Sequence, residues 1–269
     1  MEAEQGRPLR GSRTGRWLMS AAASLQRMLV IMPAHNEAGR IGAVIRDLHR
    51  VAPDADVAVI DDASTDATAD EARAAGALVL THAVNMGYGA SLETAFLYAM
   101  KHGYAPVVQM DADGQHLPAE LPVLLAPLSE GGADIVLGSR YANRIRHYRT
   151  PPIRRLGQLF FGTVLLLLTG RRFSDPTSGF QALSGRALRL FASGVFPCDY
   201  PDADVLLMAH WTGLRIREVP VRMVERSGGV SLHGGWKPLY YGMKMLLSVF
   251  IVILNYPVWR RWRARFDAA

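Results

Sequence analysis

The sequence predicts an α/β protein built on a mostly parallel sheet with helices on both faces. Between residues 28 and 137, short apolar runs alternate with stretches of helical periodicity, which is the pattern of strands joined by helical crossovers. Four of these runs stop at polar or glycine-rich segments, as strands do at the ligand-binding edge of an open sheet. With 269 residues, the chain can bury the core of one large domain.

The predicted elements follow one another along the chain. Apolar residues fall on one face between Ile41 and Leu48, which predicts the first helix. Carboxylate and hydroxyl groups at Ser64–Asp66 predict the start of the second helix, and Pro33 is expected to end the first strand. The predicted strands are Met28–Met32, Val57–Ile60, Ala77–Leu80, Val107–Met110, Ile135–Leu137 and Gly213–Val221; the further helices are 90–101, 120–128, 156–168, 205–209 and 239–254.

Four strand ends carry the polar segments. They are Pro33–Glu37, Asp61–Asp66, Asn85–Gly89 and Asp111–Gln115. Each alone fits an ordinary turn, because Asp, Asn and Gly are turn formers. The carboxyl ends of parallel strands lie along one edge of a sheet, so the four together predict a binding crevice.

Asp111 and Asp113 are the central candidates in that crevice. Carboxylates at alternate positions of an extended chain point the same way, which suits a hard divalent cation that also binds substrate phosphates. The alternative for an isolated pair of this kind is an acidic turn after a strand.

Composition narrows the class of ligand. The net charge of +6 and the pI near 9.7 favour anionic partners. The basic residues accompany apolar stretches rather than a reading helix, which argues against nucleic acid. Cys198 is the single cysteine, which excludes an internal disulfide and a cysteine-rich zinc site. Residues 1–27 are expected to form a flexible basic tail.

Three motifs resemble a known family. Val-Ile-Met-Pro-Ala-His-Asn-Glu at 30–37, Ile-Asp-Asp-Ala-Ser-Thr-Asp at 60–66 and Asp-Ala-Asp-Gly-Gln-His at 111–116 are similar to the inverting glycosyltransferases of family 2. The resemblance covers residues 28–236 and implies a GT-A fold, a Rossmann-like nucleotide-sugar transferase domain. The resemblance also implies which residues bind the nucleotide-sugar donor. Pro33, Asn36, Glu37 and Gly87 would contact the nucleotide, and Asp62 would contact its base. Asp111, Asp113 and Gln115 would bind Mg²⁺ or Mn²⁺.

The carboxyl-terminal half is expected to select the acceptor. Arg140 opens an arginine-rich segment that suits phosphate or forms a solvated loop. The segment Asp175–Gln181, with Ser178 and Gly179, resembles the family's acceptor segment. Asp204 matches the acidic residue near the acceptor, with Asp202 as the competing assignment and helix capping as the structural alternative. Arg226 and Ser231 lie in a loop similar to one that closes over the diphosphate.

Residues 237–269 are expected to associate with a membrane. Leu239–Leu254 is largely apolar, aromatic residues stand at both ends, and Arg260, Arg261, Arg263 and Arg265 follow. Aromatic belts and arginines suit the cytoplasmic membrane interface. The length is borderline for a span, so a helix lying in or dipping into the cytoplasmic leaflet is favoured over a full span. A helix that forms a homo-oligomer is the alternative.

The resulting hypothesis is a membrane-associated, inverting glycosyltransferase. It would move a sugar from a nucleoside diphosphate to a polyprenyl phosphate, with Asp113, Asp204 and Arg226 as catalytic residues. A phosphate acceptor needs little help from a base, whereas a hydroxyl acceptor needs Asp204 or Asp202. The alternatives are a family 2 enzyme extending a saccharide, a non-catalytic donor-binding module, and a nucleotidyltransferase, which the absence of a glycine-rich phosphate loop after the first strand disfavours.

Overall fold

The structure of the chain, a computed structural model, describes residues 27–142, 152–197, 201–224 and 237–268. Three sets of predicted features lie outside these ranges: the amino-terminal tail up to residue 26, the arginines between Arg144 and Arg149, and the loop residues Arg226 and Ser231. The predicted division at residues 28 and 236 therefore stays a prediction.

The described residues form a seven-stranded sheet in the order β3-β2-β1-β4-β6-β5-β7. Strand β6 runs antiparallel to β4 and β5, and the other neighbouring pairs are parallel. The mostly parallel sheet is thus confirmed. The strands are β1 Leu29–Ala34, β2 Asp56–Asp61, β3 Leu78–Thr81, β4 Val107–Gln109, β5 Ile135–Ser139, β6 Gln181–Leu183 and β7 Ile216–Pro220.

Helices flank the sheet, with one 3₁₀ turn at Pro118–Glu120 before α4. Helix α2 begins at Thr68 rather than at the predicted Ser64–Asp66. Asp66 still bonds to the helix start, because its Oδ1 accepts the Thr68 N–H at 3.0 Å, while its Oδ2 and the Ser64 hydroxyl accept N–H groups of the loop after β1. The helices in the described ranges are α1 Ile41–Val51, α2 Thr68–Ala74, α3 Tyr88–Lys101, α4 Leu121–Ser129, α5 Pro152–Thr169, α6 Gly185–Phe191, α7 Ala203–Trp211, α8 Lys237–Leu254 and α9 Tyr256–Asp267.

Pro33 does not end β1, which continues to Ala34. The ladder between β1 and β4 stops at the pair Ile31 and Gln109. Pro33 lies beyond that pair, on the side where β1 has no further partner strand. A proline at such a position removes no ladder hydrogen bond, which is why the sheet tolerates it.

Alternation along β1 divides the core into two layers. Leu29 and Ile31 pack on one face with Leu92 and Phe96 of α3. Val30 and Met32 pack on the other face with α1. Side chains of a strand alternate between faces, so this single buried strand anchors helices on both sides.

The carboxyl-terminal helices pack on the core layer that contains α7. Met245, Val249 and Val252 of α8 are buried there, while Leu247 and Phe250 are 58% and 54% exposed. No single helix of the described residues is long and apolar enough to cross a membrane. By length and composition alone, the segments Gly242–Leu254 and Tyr256–Asp267 pass as a pair, with a bend of 63° between them.

Candidate active site

The loops after β1 and β2 are joined at the carboxyl edge of the sheet. Asn36 has a positive φ of 56°, and its side-chain oxygen accepts a hydrogen bond from the Thr65 N–H at 2.9 Å. The Glu37 N–H donates to the Thr68 hydroxyl at 2.8 Å, and the Glu37 carboxylate lies 2.9 Å from Arg40 Nε. These bonds fix the loop in which Asn36 and Glu37 are predicted to meet the nucleotide; that contact, like the one predicted for the buried Pro33, stays a prediction.

Asp62 holds the next loop in place. Its carboxylate accepts hydrogen bonds from the Met86 and Gly87 N–H groups, both at 2.8 Å, and lies 2.8 Å from His82 Nδ1. Burial raises the pKa of Asp62, but the bonds from Met86, His82 and Gly87 outweigh burial and leave the pKa below its ordinary value. Asp62 therefore has a structural role at the start of α3, while its contact with the base and that of Gly87 with the donor stay predictions.

Tyr88 connects α3 to the end of β4. Gln109 Nε2 donates to the Tyr88 hydroxyl at 2.9 Å, and that hydroxyl donates to Asp111 Oδ1 at 3.0 Å. Burial, together with the charges of Asp111 and Asp202, raises the pKa of Tyr88, so the hydroxyl keeps its proton. Neither Tyr88 nor Gln109 was predicted from the sequence to be a site residue, although a glutamine inside an apolar strand can indicate a polar site.

His116 supports the same carboxylate from the other side. Its Nδ1 accepts the Asp111 N–H at 2.9 Å, and its Nε2 lies 3.6 Å from Asp111 Oδ2. The ring stacks on Phe180, with centroids 4.8 Å apart and planes at 11°. Burial lowers the pKa of His116, in agreement with an Nδ1 that accepts a hydrogen bond. His116 is the third residue of the site to which no role was assigned from the sequence, although it lies in the motif at 111–116.

Gly179 approaches Asp111 so closely that a side chain does not fit. A Cβ at this position would lie 2.9 Å from the Tyr88 hydroxyl and 3.3 Å from both carboxylate oxygens of Asp111. The predicted acceptor segment and the predicted metal carboxylate are therefore adjacent. A glycine is needed here for close approach rather than for backbone freedom.

Replacing Gly179 by alanine is expected to displace the Tyr88 hydroxyl and the Asp111 carboxylate. A shift of this kind in a positioned group costs about 10²-fold in turnover. We expect kcat to fall while the thermal unfolding midpoint changes little, as measured by sugar transfer and by circular dichroism. Gly162→Ala is the matched control, because a Cβ there meets its nearest neighbour at 3.7 Å; equal activity in the two variants would contradict the prediction.

Asp113 and Gln115 lie in the turn after Asp111. The Gln115 N–H donates to Asp113 Oδ1 at 3.0 Å. Gln115 also bonds to Val224 twice: its Nε2 donates to the Val224 carbonyl at 3.3 Å, and its own carbonyl accepts the Val224 N–H at 3.1 Å. The carboxylate turn is thus tied to the segment that precedes residue 225.

The donor set of this turn fits Mg²⁺ or Mn²⁺. The described residues contain no group of three or more His, Cys, Asp or Glu side chains able to hold a metal ion, so a cation would take two carboxylates from Asp111 and Asp113. Mg²⁺ is typically bound by one or two carboxylates together with waters and substrate phosphates. The Asp111 side chain is 32% exposed and is accessible to such a cation; the predicted ligand role of Gln115 stays a prediction.

Arg140 is engaged by Asp175. Its Nε and Nη2 donate to the two Asp175 oxygens at 2.7 and 2.8 Å, and its backbone N–H donates to Oδ2 at 3.1 Å. Asp175 is fully buried and Arg140 is 9% exposed. This two-pronged ion pair holds the segment before Gly179, and the predicted phosphate contact of Arg140 stays a prediction.

The Ser178 hydroxyl is also used within the chain. It donates to the Gly138 carbonyl at 2.5 Å and accepts the Phe180 N–H at 3.3 Å. These bonds place the Ser178–Gly179 backbone against the end of β5. The predicted acceptor contacts of Ser178 and Gly179 stay predictions.

Asp204 is buried and bonded within the chain, and its predicted role near the acceptor stays a prediction. It is fully buried in the first turn of α7, where Oδ1 accepts the Asp202 and Val205 N–H groups and Oδ2 accepts a short hydrogen bond from the Ser248 hydroxyl of α8. Burial raises the pKa of Asp204 despite these bonds. The structure thus gives Asp204 a role in joining α7 to α8, and it is Asp202 whose charge acts on Tyr88.

Sequence comparisons identify relatives of the whole globular region. Residues 29–191 match the family model described as Glycosyl transferase family 2. A polyprenol monophosphomannose synthase of Mycolicibacterium smegmatis is 34% identical over 221 residues, 78% of this chain and 82% of the relative. An undecaprenyl-phosphate mannosyltransferase of Micrococcus luteus is 32% identical over 216 residues, 78% of this chain and 88% of the relative.

Structural comparison confirms the fold. The crystal structure of glucosyl-3-phosphoglycerate synthase from Mycobacterium tuberculosis, in complex with Mn²⁺ and UDP-glucose, superposes with a TM-score of 0.67. The two chains are 23% identical, and the match covers 91% of this chain and 84% of the other. The GT-A architecture implied by the sequence motifs is thereby established.

Proposed function

Because the chain belongs to glycosyl transferase family 2 and is a nucleotide-sugar glycosyltransferase, we propose that it transfers a sugar, with inversion, from a nucleoside diphosphate to a polyprenyl phosphate. The observation that carries the proposal is the cluster at the end of β4. There, Asp111 is positioned by Tyr88 and His116 and lies against Gly179 of the predicted acceptor segment.

The proposed binding site of the donor nucleotide lies along the joined loops at the edge of the sheet. The loops after β1 and β2 form one bonded unit, and Asp62 fixes the loop that opens α3. A nucleotide bound along these loops would extend its diphosphate toward Asp111 and Asp113. When bound there, Mg²⁺ or Mn²⁺ supplies a Lewis acid that stabilises the leaving diphosphate, as the Mn²⁺ in the complex of the mycobacterial synthase suggests.

The chain's own residues orient the carboxylate that receives the metal. The Tyr88 hydroxyl donates to one oxygen of Asp111, and His116 Nε2 lies 3.6 Å from the other, so the two side chains border the carboxylate on both sides. Side chains locked in this way keep a site preorganised. Arg226, outside the described residues, is proposed to add positive charge near the diphosphate, with Ser231 in the same loop.

The acceptor is proposed to be a phosphate because two relatives carry that chemistry in their names. The Micrococcus relative is called an undecaprenyl-phosphate mannosyltransferase, and the Mycolicibacterium relative a polyprenol monophosphomannose synthase. A phosphate monoester is already ionised near neutral pH, so its oxygen attacks without deprotonation by the enzyme. This agrees with an Asp204 that is bonded to Ser248 rather than exposed to the crevice.

The pH dependence of transfer distinguishes the two kinds of acceptor. The second ionisation of a phosphate monoester has a pKa of about 6, so transfer to a phosphate should fall as the pH drops below that value and the dianion is protonated. The Asp202→Asn and Asp204→Asn variants should keep this profile, because no enzyme base sets it. A variant that loses the rising limb would indicate that its carboxylate acts as the base.

The reaction is proposed to occur at the cytoplasmic face of a membrane. Helix α8 exposes Met243, Leu247 and Leu254 by 62%, 58% and 63%, and exposed arginines of α9 follow directly. Apolar residues beside a basic helix suit adsorption to a membrane that carries anionic lipids. The lipid acceptor would then reach the crevice from the membrane surface.

Radiolabelled transfer tests the proposal. The full chain is incubated with polyprenyl phosphate, Mn²⁺ and each member of a panel of nucleotide sugars, and organic-extractable label is counted. We expect one donor class to label the lipid and EDTA to abolish labelling. Absence of labelled lipid with every donor, from protein that is folded by circular dichroism, would overturn the proposal.

A further inference from the structure

A second polar cavity lies at the edge of the sheet opposite the crevice. Strands β4 and β5 both run antiparallel to β6, and β7 is parallel to β5. The amino ends of β5 and β7 are therefore at the far edge from Asp111. There, a cavity of about 380 Å³ is lined by Gly132, by residues 213–217 and by side chains from α5–β6, α7 and α9; we call it the β5–β7 pocket.

The lining of the β5–β7 pocket is strongly basic. It contains Arg171, Arg215, Arg217 and Arg263, together with His210, and no carboxylate. Guanidinium groups that converge from three segments repel one another, and a bound anion would offset this repulsion. Burial and the charges of Arg171 and Arg263 lower the pKa of His210, as a positive local potential requires.

The protein itself neutralises only part of this charge. Arg215 is paired with Asp134, whose Oδ2 lies 3.1 Å from its Nε. Arg171 donates to the carbonyl of Ile216 at 2.8 Å, which fixes its position without compensating its charge. Arg263 approaches Asp267 only to 3.9 Å. The guanidinium group of Arg217 forms no hydrogen bond or ion pair within the described parts of the chain.

Two glycines leave room between the arginines. A Cβ at Gly132 would lie 3.6 Å from Arg217 Nη1, and a Cβ at Gly213 would lie 3.3 Å from Arg263 Cγ. Gly213 also has a φ of +79°, which an L side chain rarely adopts. The backbone thus keeps open a space that is bordered by guanidinium donors.

We propose that the β5–β7 pocket binds a phosphate-bearing anion at a site separate from the donor crevice. Guanidinium forks match phosphate oxygens in charge and geometry. Two sources carry this chemistry: the headgroup of an anionic phospholipid and a soluble phosphate. The headgroup fits the position of Arg263 on α9, directly after the exposed apolar face of α8, and it depends on the proposed membrane association; the soluble source does not.

The test compares two variants with the same change in net charge. Arg217→Gln/Arg263→Gln removes the two guanidinium groups of the pocket that donate no hydrogen bond within the described parts of the chain. Arg260→Gln/Arg261→Gln removes two exposed arginines of the same helix that do not line it. Each full-length protein is assayed in EDTA for stabilisation by inorganic phosphate in thermal unfolding and for co-sedimentation with phosphatidylcholine vesicles that contain phosphatidylglycerol.

Loss of a guanidinium contact to phosphate is expected to weaken binding about tenfold. Both variants lose arginines of α9 and are expected to bind vesicles less well, so a loss about tenfold larger in the pocket variant than in the control identifies a lipid headgroup. Loss of phosphate stabilisation in the pocket variant alone, with equal vesicle binding, identifies a soluble phosphate. If the two variants match in both assays, or if phosphate and vesicles fail to bind the native protein, the proposal is wrong. Sugar transfer to a detergent-solubilised acceptor should be unchanged in the pocket variant, so this result is independent of the proposed reaction.

Discussion

Asp111→Asn is expected to lower the rate of sugar transfer by about 10³-fold or more, because the carboxylate charge that holds the divalent cation is lost. The asparagine oxygen can still accept the Tyr88 hydroxyl, so the fold should be retained. Transfer is measured with saturating donor at several Mn²⁺ concentrations. Donor affinity in Mn²⁺ should also fall, while donor affinity in EDTA should match that of the native protein.

The control for this variant is Asp54→Asn, which makes the same charge change at an exposed position in the turn between α1 and β2. Its activity should equal that of the native protein. If Asp111→Asn keeps more than a tenth of the native rate, the carboxylate does not hold an essential cation. The assignment of the end of β4 as the diphosphate site would then be wrong.

Asp175→Asn should give the largest loss of stability among single changes near the site. It leaves the nearly buried Arg140 guanidinium without its charged partner. Breaking a buried ion pair in this way costs about 3–5 kcal/mol of unfolding free energy. Urea denaturation followed by circular dichroism measures the change.

Two controls separate the ion pair from a general effect of lost charge. Asp70→Asn breaks a surface pair with Arg73, whose side chains are 86% and 53% exposed, and should leave the urea midpoint unchanged. The double variant Arg140→Met/Asp175→Leu removes both charges and should be more stable than Asp175→Asn alone. A midpoint of Asp175→Asn equal to the native value would show that the pair contributes nothing.

Local sequence signals were sufficient for six of the seven strands of the described sheet and for the edge to which their polar ends are directed. The apolar runs and the polar residues at their ends are visible within a few positions, so Asp62, Asp111 and Asp113 could be identified and placed at one edge. The three-residue strand β6 could not, because a run of that length has no readable period. Its antiparallel direction also depends on pairing with β4 and β5 rather than on its own residues.

The hydrogen-bond and ion-pair partners of the charged residues could not be predicted from the sequence. Arg140 and Asp175 are 35 positions apart, and Asp204 meets Ser248 across 44 positions. Arg140, Asp175 and Asp204 are residue types that are common in functional sites. Only the packed fold shows that each of them bonds to a partner within the chain. Arg171, Arg215 and Arg263 likewise form one pocket only after the α5–β6 segment, β7 and α9 have packed together.

The measurement that tests the central claim most directly is a comparison of acceptors with the donor that labels lipid. The native protein is given polyprenyl phosphate, the matching polyprenol and a free saccharide in parallel, and the labelled products are separated by chromatography. The proposal predicts transfer to polyprenyl phosphate alone, with a rate that falls below a pH of about 6 as the phosphate dianion is protonated. Transfer to the polyprenol or the saccharide with polyprenyl phosphate left unlabelled would contradict it, because the acceptor would then be a hydroxyl that needs a base such as Asp202 or Asp204.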